Sequence, residues 1–83
     1  MSEVAPQLRW ACRRGMLELD ILLGDFLNQA YVNLNPVDQA SFVKLLSYND
    51  QELFDWLTEK SVPGDPTIKS MIQKVRTHAK NKH

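Results

Sequence analysis

Apolar residues recur along this chain at helical spacing, and no stretch alternates over a strand's length. From about Gln7 to Arg14, Leu8, Ala11 and Cys12 fall at i, i+3 and i+4, and Gly15 follows. A glycine there predicts a left-handed cap that closes a short first helix. A second helix is predicted from Met16 to about Tyr31, with a broad apolar stripe of Leu19, Ile21, Leu22, Leu23, Phe26, Leu27 and Ala30. Gly24 interrupts that stripe at a cost of about 1 kcal/mol relative to Ala, which a close helix crossing would explain.

Restart signals divide the remainder. In "NLNPVDQ", Asn35 is a predicted N-cap, and Pro36 suits the first helical position because no N–H is needed there. The third helix presents Ala40, Val43 and Leu46, with Phe42 and Leu45 offset. "YNDQEL" restarts the chain with Asn49 or Asp50 as cap, and the fourth helix carries Leu53, Trp56 and Leu57 with Phe54 beside them. In "KSVPGDP", Pro63-Gly64 turns, Asp65 caps and Pro66 opens the fifth helix, where Ile68, Met71, Ile72, Val75 and Ala79 recur on one face.

The prediction is an all-α, compact five-helix bundle: one domain over residues 1–83, ordered from about 7 to 78, with a frayed tail at 79–83. The expected core is Leu19, Leu23, Phe26, Leu27, Phe42, Val43, Leu46, Leu53, Trp56, Leu57, Ile68, Met71, Ile72 and Val75.

Charge and composition narrow the function. Ten acids balance ten bases over 83 residues, which disfavours a dedicated nucleic-acid binder. Apolar runs reach only three residues, as at Ile21 to Leu23, against the roughly 20 needed to span a bilayer, so no membrane insertion is expected. The single cysteine, Cys12, excludes an internal disulfide and fits a reducing compartment. The start "MSEVAPQL" has neither a secretory apolar core nor an organelle presequence pattern, so a cytoplasmic protein is expected.

Catalytic and metal-binding chemistry finds little support. The histidines are His78 and His83, near the basic end, and no phosphate loop or metal-ligand spacing occurs. Cys12 is read as a small buried hydrophobe and His78 as a surface residue. Asp50, Glu52, Asp55 and Glu59 give the fourth helix a solvated acidic face, or a contact surface that uses Phe54. Such a helix is a poor DNA reader, since phosphates would repel it. Lys69, Lys74, Arg76, Lys80 and Lys82 make the end basic, as suits the last turns of a helix.

The stretch "CRRGMLELD" admits two arrangements. A helix running through Gly15 would make Arg14 and Glu18 i, i+4 neighbours. A turn at Gly15 would instead end one helix at Arg14 and place Glu18 in the first turn of the next. Either is ordinary punctuation, or the corner displays a guanidinium and a carboxylate around bare backbone that a partner can approach.

"WACRRGMLELD" resembles the signature of the SdhE-type (YgfY-type) FAD assembly factors of succinate dehydrogenase. The family's Arg-Gly-x-x-Glu is matched by Arg14, Gly15 and Glu18, with Trp10, Arg13 and Asp20 fitting around it. "NDQELFDWL" is a second match, through Asp50, Leu53, Phe54, Trp56 and Leu57. The resemblance implies a helical binding protein without enzymatic activity of its own. Its partner would be the flavoprotein subunit of succinate dehydrogenase, with that of fumarate reductase as a second candidate client. It would promote covalent attachment of FAD to a histidine of that client; the chain supplies no obvious flavin pocket, so FAD need not be its own ligand, and no metal site is expected. Arg14, Gly15, Glu18, Arg13 and Asp20 are the implied partner-binding residues, with Asp50 and Phe54 as a secondary surface. The alternative is an antitoxin-type regulator of another protein; a small nucleic-acid binder ranks below both.

Overall fold

In the computed structural model, which describes residues 6–81, five α-helices follow one another: α1 Pro6–Cys12, α2 Leu17–Gln29, α3 Pro36–Leu45, α4 Asp50–Leu57 and α5 Pro66–Asn81. Local chemistry explains most of the boundaries. The Asn35 side chain accepts the Asp38 N–H at 2.8 Å, and Pro36 occupies the first turn of α3. Asn49, not Asp50, caps α4 by accepting the Glu52 N–H at 2.8 Å. Asp65 accepts the Thr67 N–H at 2.8 Å at the start of α5.

Two boundaries differ from expectation, and a third is one the sequence does not mark. α2 stops at Gln29, and Tyr31–Asn33 continue as a 3-10 turn. α5 runs through Asn81 rather than fraying near 78, while Lys82 and His83 lie outside the described residues. α4 ends without glycine: Glu59 adopts a positive φ of 67°, the Lys60 N–H reaches Asp55 O at 2.8 Å, and the Glu59 N–H reaches Trp56 O at 3.3 Å. This is the Schellman arrangement, with Glu59 at the left-handed position.

α5 packs against α2, α3 and α4, and α1 packs on α2. The core joins Cys12 of α1, Leu19, Leu23, Phe26 and Leu27 of α2, and Phe42, Leu45 and Leu46 around the end of α3. Leu53 and Leu57 of α4 and Ile68, Met71, Ile72 and Val75 of α5 complete it. Phe26 and Phe42 stack with ring centroids 5.2 Å apart, and Tyr31 meets Phe42 at 5.6 Å. The radius of gyration is 11.8 Å, as close packing of a chain this long requires, about 12 Å.

Two expected core residues lie elsewhere. Val43 is 48 % exposed because Phe42, Leu45 and Leu46 set the phase of α3 and turn Val43 outward. Trp56 is half-buried, its ring edge-on to Tyr48 at 5.0 Å. No close crossing accounts for Gly24, since a Cβ there would meet nothing within 4 Å.

Candidate functional site

The chain leaves α1 at Cys12 and enters α2 at Leu17, so the helix is not continuous through Gly15. Glu18 and Asp20 stand in the first turn of α2, where its dipole favours carboxylates. Gly15 is not a left-handed cap: its φ is not positive, and an added Cβ would lie 3.9 Å from the Asp50 carboxylate, an ordinary contact. The corner therefore does not need glycine for its backbone conformation.

Arg14 turns inward. Its side chain is only 12 % exposed. Its terminal nitrogens donate to Leu46 O at 2.5 Å, Tyr48 O at 3.2 Å and Asp50 Oδ1 at 3.3 Å. Those carbonyls lie just past the end of α3, and Asp50 opens α4. The other Asp50 oxygen accepts the Met16 N–H at 3.4 Å. Met16 is the N-cap of α2 and has no oxygen with which to cap it. Arg14 is thus neither an open fork on the surface nor the partner of Glu18.

The exposed chemistry lies around this inward arginine. Gly15, Glu18 and Arg13 are exposed. Arg13 Nε lies 3.7 Å from Asp20 Oδ1, and its guanidinium sits 5.8 Å from the Trp10 ring centroid. The Glu18 carboxylate has no hydrogen bond or ion pair among the described residues. Leu17 and Ile21 flank it at 68 % and 53 % exposure, and Trp10 is 72 % exposed. The sequence motif does not include Leu17 or Ile21. The available signal was the width of the α2 stripe, which holds more apolar positions than one face can bury.

Asp50, 36 residues from Arg14 in sequence, joins the corner directly. Phe54 lies one turn further along α4, half-buried, with Lys60 Nζ 5.7 Å from its ring centroid. An open groove of about 410 Å³ runs between α1 and α2 beside Arg9, Trp10, Arg13, Gly24 and Asn28. Cys12 lines it yet is buried, and burial pushes its thiol pKa up from an ordinary 9.0 to about 11. His78 is not the surface residue expected: it stands edge-on to Phe26 at 5.6 Å, with Nε2 shielded and unpartnered among the described residues. Among the described residues, no group of His, Cys, Asp and Glu could hold a metal ion, and no helix is long and apolar enough to cross a membrane.

This is a small all-helical protein in which Glu18, the Arg13–Asp20 pair and the exposed Trp10, Leu17 and Ile21 share one exterior corner. A family model described as the flavinator of succinate dehydrogenase matches residues 6–79, and the chain belongs to that family. It is 40 % identical over 77 residues to the FAD assembly factor SdhE of a Serratia species, covering 93 % of this chain and 88 % of that one. It is 44 % identical over 73 residues to the protein of the same name from Shewanella oneidensis, covering 88 % and 89 %. The solution structure of a UPF0350 protein matches with a TM-score of 0.76 and 34 % identity, covering 92 % of this chain and 81 % of that one. These names describe an assembly factor rather than a catalyst.

Proposed function

We propose that this protein binds the flavoprotein subunit of succinate dehydrogenase in the cytoplasm and promotes covalent attachment of FAD to a histidine of that client. The observation that carries this reading is the family match across residues 6–79, joined by relatives named FAD assembly factors. The flavoprotein subunit of fumarate reductase is a second client of the same kind. The protein is not itself a redox enzyme: FAD is the client's cofactor, and this chain works by binding.

The client-contacting surface is the corner of Arg13, Gly15, Glu18 and Asp20, extended by the exposed Leu17 and Ile21. Glu18, unpaired between two apolar side chains, suits a basic group set in an apolar surround. Gly15 leaves room for a close backbone approach. Arg14 and Asp50 serve this surface from behind, and Phe54 lies at its edge. Holding the client with its flavin and histidine aligned lowers the barrier to bond formation by removing misoriented states.

The test is reconstitution. Purified flavoprotein subunit is incubated with FAD, with and without this protein, and covalent flavin is read by fluorescence in a denaturing gel. Addition of the protein should raise the covalent fraction, and Glu18→Gln should raise it less at equal concentration. An equal covalent fraction with and without the protein refutes the function. Full activity of a folded Glu18→Gln variant refutes the assignment of the corner.

A further inference from the structure

We infer that Arg14 is a positioning residue: with Asp50 it forms an internal strut that caps α2 from outside and sets the attitude of the corner bearing Gly15 and Glu18. For its effect on the client, the inference rests on the function proposed above.

α2 carries Glu18 in its first turn, yet its N-cap, Met16, offers no side-chain acceptor. An uncapped start leaves backbone donors unsatisfied and tends to fray. The side-chain acceptor that reaches this end comes from another element, as Asp50 Oδ2 accepts the Met16 N–H at 3.4 Å. Asp50 is held in turn by Arg14 through its other oxygen at 3.3 Å. Arg14 is anchored independently by two carbonyls past the end of α3, Leu46 O at 2.5 Å and Tyr48 O at 3.2 Å. One planar group thus ties the α1–α2 corner to both ends of the α3–α4 connection. Three acceptors in fixed directions suit a guanidinium and not an ammonium. With 12 % of its side chain exposed, Arg14 has little surface left for a client.

A residue that merely stabilised the fold would lower the melting temperature without altering how the folded fraction binds. A strut at the corner changes local order and affinity together. The experiment uses the full chain with Arg14→Ala, Arg14→Lys, Asp50→Asn, the Arg14→Ala/Asp50→Asn pair, and Glu18→Gln as a contact control. Amide hydrogen exchange of Met16 and of Asp20 to Leu23, whose N–H groups are bonded at this helix start, is measured in the free protein, and affinity is measured for purified flavoprotein subunit.

Arg14→Ala and Asp50→Asn should each speed exchange at these amides at least fivefold and weaken binding at least tenfold. The double variant should be no weaker than Arg14→Ala by more than about twofold, since both act through one strut. Arg14→Lys should resemble Arg14→Ala. Glu18→Gln should weaken binding with exchange unchanged. Should Arg14→Ala fail to fold, Asp50→Asn reports on the same strut from its other end.

Unchanged exchange in Asp50→Asn and Arg14→Lys overturns the strut, whatever the client does. Weakened binding with unchanged exchange would instead make Arg14 a direct contact. Fast exchange with unaltered affinity overturns its link to the corner. If the wild-type protein binds no flavoprotein subunit, the proposed function fails, while the exchange data still decide the strut.

Discussion

Glu59 occupies a backbone conformation that glycine ordinarily takes, at φ 67°. A side chain there costs about 1 kcal/mol or more, partly offset by the surface ion pair that Glu59 makes with Arg76. Glu59→Gly should therefore stabilise the protein by about 0.5–1 kcal/mol, read as a higher urea midpoint at constant slope. Arg76→Gln is the control that isolates the ion pair. Cys12 makes the opposite kind of prediction. The residue is 2 % exposed, and burial raises its thiol pKa to about 11. It should resist alkylation at pH 7 far longer than a free thiol. The folded state binds this proton more tightly than the unfolded chain. Its contribution to stability is therefore complete below pH 9.0 and lost as pH rises through about 11, which alkaline unfolding of wild type against Cys12→Ala would show.

Among the elements, the starts of α3, α4 and α5 were readable from their own capping residues, and the start of α2 from its apolar stripe after Gly15. Asn35 and Asn49 cap α3 and α4 through bonds of 2.8 Å each, as the side-chain types announced. Replacing either with Ala should cost about 1 kcal/mol in chemical denaturation. What α2 does not announce is its capping acceptor, because Asp50 lies 34 residues beyond Met16. The end of α4 was equally silent, since no glycine marks it. The phase of α3 escaped periodicity because Ala40 and Val43 compete with Phe42, Leu45 and Leu46 as a stripe. Burial of the larger set won. Trp56 belongs here too. Half-buried against Tyr48, it should cost less on truncation to Ala than a fully buried aromatic, below about 3 kcal/mol.

At the scale of the whole molecule, the last turn of α5 stands apart from the corner in its chemistry. Lys80 and Asn81 are exposed and basic or neutral. Removal of residues 80–83 should leave affinity for the flavoprotein subunit within tenfold of wild type. The Lys44–Asp65 pair, 2.8 Å apart, links the last turn of α3 to the start of α5. Hydrogen bonding to Lys44 lowers the Asp65 pKa, and the same bond raises that of Lys44. The pair is exposed, so it should yield a small, salt-screened loss of stability as pH falls through the carboxylate range or rises past the ordinary lysine range.

Helix number, the Asn35, Asn49 and Asp65 starts, most of the core and the family resemblance are properties of the sequence alone. Each depends on residues within a few positions of one another, where helical spacing and capping act. The direction of Arg14 could not be read that way. Its neighbours in sequence offered Glu18 as a partner, whereas the folded chain supplies Leu46 O, Tyr48 O and Asp50 from more than 30 residues away. Tertiary structure likewise decided that Gly15 is free of a left-handed strain, that His78 meets Phe26, and that Leu17 and Ile21 remain outside. In each case the outcome turns on which surfaces meet when five short helices close around one core. That is a competition among distant faces, which local spacing does not encode.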